Sequence, residues 1–455
     1  MVAFDEPYEY FYLNNDYILD DSNGRIDGTP DADLNPGSGL IVEGDEDQNL
    51  DDLHVIGDDD NGGSVIGDGN INANQLYIDY NVNKNKWYFF CFPYQIALAD
   101  IVCEANYTFR QYDGEERANN GYGGWKHMPE AAEYLNANQG YIFRCDQNTT
   151  LSIPVAKSQF GKFPGGKRSQ ELNTYVSTEG AENASWNFVG NPYTCYYDIE
   201  QMKNGNNSYE SPIIVWNVES QSYETLRPGD DDYFLRPFEA YFVQKPEGQA
   251  AMGYEADGRA TYQQSERLME QKQQARRLAR ATAPRTRHLI NLTLTDGQTT
   301  DKTRVVYNDK CSQDYEIGTD AAKFMSNGVP QLYSIDQRQV HYSINERPDG
   351  EVRLGYTATK AGELTINATR MDKAVWLRDN VTGTTHNLAN GSYTFQTEAG
   401  TFNARLVLVD GSATGISGTE AADGGGQAVY TLDGKHVAEP QHGQVNIIGK
   451  KKVIK

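Results

Sequence analysis

WYFFCFPYQIALADI (residues 87–101) and WNFVGNPYTCYYDIEQM (186–202) begin alike and meet a proline at the same place, 99 residues apart. YLNANQGYIFR from Tyr134 answers FLRPFEAYFVQ from Phe234 at an offset of 100, and RQYDG and IVWNV occupy comparable places between them. Two matches at nearly one spacing define tandem modules of about a hundred residues. In WNFVGNPY the residues Trp186, Phe188 and Gly190 alternate with Asn187, Val189 and Asn191, the period of a half-buried strand. The first copy is apolar on both faces, as a strand covered on both sides must be. Pro93 and Pro192 end these strands because proline cannot donate to a ladder. Turns such as NNGYGG (119–124) and RPGDDD (227–232) punctuate short strands, the pattern of sandwiches or small barrels.

Outward from this pair the chain divides into an acidic β/loop segment (1–80), the two β modules (81–160 and 161–260) and a polar stretch at 261–287. That stretch is rich in helix formers, carries seven Arg and Lys and ends past Pro284, so it reads as a partly helical linker. Strands such as HLINLTL, TRVVY, EVRLGYTA and FNARLVLV then fill 288–410 at the density of a β-sandwich. A Gly/Ser linker (411–427) leads to a tail (428–455). The expected fold is all-β: tandem sandwich- or barrel-like modules, a short helical linker and a small C-terminal β tail.

The net charge of −24 is unevenly spread: residues 1–70 hold 19 acids against one base, Arg25, whereas 428–455 hold five lysines against Asp433 and Glu439. A pI near 4.7 repels phosphate, and no basic stripe interleaved with aromatics occurs, so nucleic acid is not an expected partner. No apolar run nears the ~20 residues of a membrane span. The start, MVAFDEPYEYFYLNND, has no basic n-region and no apolar h-region; the tail favours reading it as part of a longer chain. Five cysteines form no C-x-x-C pair, which argues against zinc, and a Cys103–Cys145 bridge is open in an oxidising compartment.

No G-x-S-x-G, H-E-x-x-H, Walker or G-x-G-x-x-G signature occurs, so no catalytic residue and no cofactor are assigned, and the chain reads as non-catalytic. Val-Ile-Gly-Asp recurs at Val55 and Val65, as in a coiled β structure or a hairpin. It brings Asp58, Asp60 and Asp68, hard oxygen donors that make calcium the one metal candidate. The spacing lacks the glutamate of an EF-hand, and an acidic turn without metal is the preferred reading. Trp125, Tyr122, Trp216, Tyr223 and Tyr233 lie near Gly- or Asp-rich turns, where rings can stack on sugars or proteins. Packing within the modules is the alternative, and the preferred one.

VYTLDGKHV (429–437) is a hairpin about Asp433–Gly434, and VNIIGKKKVI (445–454) reads as a second about Gly449–Lys450; Lys451, Lys452 and Lys455 follow. Edge lysines of this kind oppose strand-to-strand association. The tail resembles the type A C-terminal sorting domain of the Por, or type IX, secretion system of Bacteroidota. The segments at 85–101 and 185–199, with the region from 287 to 409, look like the tandem β modules near the C-termini of large Bacteroidota surface proteins. The resemblance implies export across both membranes, with the type IX machinery as partner. It also implies a cell-surface or extracellular location and a display or adhesion role toward host or neighbouring-cell glycans or proteins. The alternatives are the C-terminal accessory half of a larger secreted hydrolase, or a glycan-binding module.

Overall fold

The computed structural model describes residues 10–19, 26, 28–43, 47–67, 71–155, 157–160, 163, 165–280, 286–410, 429–431, 436–437, 445–448 and 451–454. Strands dominate throughout, and the fold is all-β. Residues up to Asp410 form one compact unit and Gly411–Lys455 a second.

The acidic N-terminal segment is a parallel coil. Tyr10–Leu13, Asp31–Leu34, Gln48–Gly57 and Ile71–Val82 pair in parallel along one side. Asp16–Leu19, Gly39–Val42 and Ser64–Gly67 do so along the other. Inward residues stack in register: Ala32 on Leu53 and Leu34 on Val55, then Leu53 on Leu76 and Val55 on Ile78. The repeated Val-Ile-Gly lies on two sides of one coil, Val55 in the first sheet and Val65 in the second. Amides align between coils as well, Asn35 donating to Asn14 at 3.0 Å and Asn74 to Asp51 at 2.8 Å. Thr149–Val155 pairs antiparallel with Ile71–Val82 and covers the last parallel edge.

Two four-stranded sheets follow with one strand order. The first runs Trp125–His127, Tyr107–Tyr112, Gly140–Cys145, Tyr88–Cys91; the second runs Ser222–Leu226, Ile213–Asn217, Ala240–Gln244, Trp186–Gly190. Their registers also correspond. Gly140 faces Cys91 where Ala240 faces Gly190, and Arg110 faces Ile142 where Ile214 faces Phe242. The sheets meet face to face through equivalent positions. Phe89 lies edge-on to Phe188 at 5.0 Å and stacks on Trp216 at 5.1 Å. Tyr112 meets Phe242 at 4.7 Å, and Trp125 meets Phe188 at 5.3 Å.

The outer faces are covered differently. In the first copy Tyr88, Phe90 and Phe143 turn toward the coil, with Tyr80 at 4.9 Å from Phe90. In the second, Val189, Tyr241 and Val243 pack with Met202 and Tyr254, which belong to a further sheet of Arg168–Glu171, Ala251–Tyr254, Met202–Asn204 and Asn207–Ser208.

Tyr262–Arg280 is a helix opened by a capping box: Gln264 N donates to Thr261 Oγ1 at 3.2 Å, and Thr261 N donates to Gln264 Oε1 at 3.0 Å. It is docked. Tyr262 and Met269 pack on Tyr196, Phe234 and Ala260, and Lys272 Nζ reaches Asp198 at 2.5 Å and Glu200 at 2.8 Å.

Beyond it, where strand density suggested two stacked sheets, the strands join in one sheet that curls until it is nearly a closed barrel. Register shifts at Asn291/Leu292 and between Leu354 and Tyr356 bend its strands, which favours curling. Near its free edges Asp379, fully buried, accepts from Arg405 at 2.8 Å and from Tyr393 at 2.9 Å. The second unit is a small antiparallel sheet in the order His436–Val437, Val429–Thr431, Val445–Ile448, Lys451–Ile454.

At the contact between copies a Cβ on Gly190 would collide with the Cβ of Cys91, and one on Gly140 would sit 2.5 Å from the Phe188 ring. Gly190→Val therefore lowers stability by at least about 2 kcal/mol through overpacking. The check is a urea unfolding midpoint, which falls while the slope stays unchanged.

Candidate functional site

The hairpin Ile213–Asn217/Ser222–Leu226 of the second copy faces the barrel strands His288–Thr295, Thr300–Tyr307 and His341–Arg347. Between them lies a cleft of about 210 Å³. The barrel reaches past it into the aromatic layer with Phe324, 4.7 Å from Trp186 and 5.0 Å from Phe242. Tyr315 donates to Gln244 Oε1 at 2.6 Å from the same side.

The rest of the junction is charged, and its centre is the RPGDDD turn. Its three consecutive carboxylates each meet an arginine from a later segment. Asp230 takes Arg287 at 3.0 and 2.9 Å, Asp231 takes Arg304 at 2.9 and 2.5 Å, and Asp232 takes Arg276 at 2.8 Å. Paired parallel donors of this kind fix orientation as well as distance. Glu346, buried, closes the network: it accepts from Arg227 at 2.6 Å, Arg287 at 2.8 and 2.7 Å, and Asn308 at 2.6 Å. Burial by itself raises the Glu346 carboxyl. The hydrogen bonds from Arg287 and Asn308 and the charges of Arg227 and Arg287 outweigh it and hold the group at about 2. Nearby, burial pushes Asp320 up to about 7 against the backbone amides of Glu316 and Glu346 that donate to it.

On the cleft wall itself the charges are paired. Lys302 Nζ meets Glu224 at 2.5 Å, and buried Lys323 meets Asp301 at 2.6 Å. Arg304 also donates from Nε to Asn291 Oδ1 at 2.8 Å, and Thr225 Oγ1 donates to Ser343 Oγ at 2.8 Å. These residues escaped the sequence reading. Three adjacent aspartates after Arg227 looked like turn punctuation, and the only hint of more was arginine on strand faces, as in TRVVY.

The residues singled out by sequence have other surroundings. Trp216 is buried, and its indole nitrogen donates to Trp87 O at 2.8 Å. Trp125 and Tyr223 are half-buried in the aromatic layer between the sheets. Tyr233, half-buried, donates to Glu239 Oε1 at 2.8 Å. Of the five rings Tyr122 alone stands well exposed, at 77%.

Asp58 caps its own turn, accepting from the amides of Asp60 and Asn61 at 2.9 and 2.8 Å. Asp59 between them is tied to Lys86, Tyr88 and Asn83 at 2.6–2.9 Å. Among the described residues no group of three or more His, Cys, Asp or Glu is placed to hold a metal ion. Asp68 lies outside the described residues. Lys451 and Lys452 open the last strand of the tail, while Asp433, Gly434, Gly449, Lys450 and Lys455 lie outside the described residues. All five cysteines are free thiols, Cys103 and Cys145 included.

Removing one partner of a buried ion pair strands the other, so Arg287→Met costs about 2–4 kcal/mol near neutral pH, with Arg227 still partly compensating Glu346. The sign with pH follows from the depressed carboxyl. Its stabilisation is present above the ordinary value near 4.5 and is lost as pH falls toward 2. The gap in melting temperature between parent and variant accordingly narrows across that window.

The comparison with known families covers most of this body. No curated protein matches the chain. The family model described as "Domain of unknown function (DUF8693)" matches residues 63–409, from the last turn of the coil to the end of the barrel. With more than half of its 455 residues in that match, the chain belongs to the DUF8693 family.

Proposed function

We propose that this protein is an exported, non-catalytic scaffold that displays its body at the cell surface or outside the cell, with the closing residues as the sorting signal. One observation carries the reading. The last 45 residues are a unit separate from the body, and within it two hairpins share one antiparallel sheet of four strands. A signal read by an export apparatus has to be recognisable without the cargo, and an independent paired-strand unit meets that requirement. The body supports the display half of the proposal. A single apolar cluster runs from Leu19 in the coil through both aromatic sheets to Tyr342 in the barrel. A structure so joined presents its surfaces in fixed relation, as a display module must.

The prediction is made on transport. Fused behind a periplasmic reporter in a Bacteroidota host with type IX machinery, residues 411–455 carry the reporter to the surface or medium. In the same host, the full chain lacking 428–455 stays inside the outer membrane. A reporter that remains periplasmic with the fusion as without it sinks the sorting proposal.

A further inference from the structure

The cleft between the second module and the barrel is a cavity at a module junction, where small-molecule sites tend to form. Its fixed charges are already neutralised in pairs: Arg304 with Asp231, Lys302 with Glu224, Lys323 with Asp301. A charged ligand therefore meets no unpaired countercharge and has to shed its own water without repayment.

Neutral polar groups are another matter. Asn217 Oδ1 accepts from Ser220 N at 2.9 Å, and Asn291 Oδ1 accepts from Arg304 at 2.8 Å, so in both the carbonyl oxygen is anchored and the two amide N–H donors are uncommitted. On the same lining stand the hydroxyls of Ser222, bonded to Ser220 Oγ at 2.7 Å, and of Thr369, which donates to Asn291 O at 3.5 Å; both keep an oxygen lone pair open. At about 210 Å³ the space is smaller than a drug-sized pocket and suits a single ring.

We propose that this cleft is a binding site for one pyranose unit of a neutral glycan. The uncommitted amides donate to its hydroxyl groups, and the Ser222 and Thr369 oxygens accept from them. This goes beyond the export reading and relocates ligand recognition away from Trp125 and Trp216, whose rings are spent on packing.

The test uses the purified full-length chain and does not pass through export, so its failure leaves the sorting proposal standing. The methyl glycosides of glucose, galactose, mannose and N-acetylglucosamine are offered at millimolar concentration and read by saturation-transfer NMR. Thr369, exposed on the rim, is changed to Trp to fill the cleft, and exposed Asn217 is changed to Ala to remove one donor. At least one glycoside is expected to bind, to lose its signal in Thr369→Trp, and to weaken about fivefold in Asn217→Ala, the worth of one hydrogen bond. No signal from any of the four, or an affinity unchanged in either variant, overturns the proposal. Should Thr369→Trp fail to melt cooperatively, Asn217→Ala decides alone.

Discussion

The face-to-face contact of two aromatic sheets is what the body is built around. Each copy supplies the same strand order and the same register, and equivalent positions such as Phe89 and Phe188 meet at 5.0 Å. Aromatic pairs of this kind add about 0.5–1.5 kcal/mol each beyond their buried area, and many are clustered here. The contact also explains why the copies diverged. The first has to be apolar twice over, since one face meets its sister and the other meets the coil through Tyr88 and Phe90. The second has its own covering sheet and can afford Asn187, which lies buried but donates to the backbone of Asn173 and Ser185 at 3.0 and 2.9 Å. WYFFCF and WNFVGN are one structural element under two different burial conditions.

That difference bears on how much could be read in advance. The repeat was legible because its signal is local: strand period, a proline stop and a constant offset. The pairing of Val445–Ile448 with Lys451–Ile454 in the tail was legible for the same reason, two alternating runs close in sequence. The parallel coil was only half legible. Its inward positions recur at 21 residues from Leu34 to Val55 and at 23 from Val55 to Ile78, so no fixed period marks them. The barrel closure and the RPGDDD network were not legible. Both depend on partners dozens of residues away, such as Arg304 for Asp231 at a separation of 73. For aromatics near glycine-rich turns packing was the preferred reading, but ligand contact stayed open because composition does not say which side of a strand is covered. The structure covers Trp216 with Phe89 and leaves Tyr122 out.

The second copy is therefore held by two unlike contacts, one dry and one polar, and they behave differently. Against its sister it uses close-packed rings with a glycine at the nearest approach, which tolerate neither water nor added volume. Against the barrel, beside the contact of Phe324 with Trp186 and Phe242, it uses carboxylates and guanidinium groups. Desolvating these costs nearly what their attraction returns, so they specify orientation more than they add stability. Polar surfaces meeting through long side chains cannot interdigitate as rings do, and the space left over is the cleft at Asn217 and Asn291. A cavity with donors to spare arises where the junction is polar. Recognition and rigidity are thus divided between the two sides of one module, and a substitution that loosens the aromatic side should cost stability before it alters the polar side.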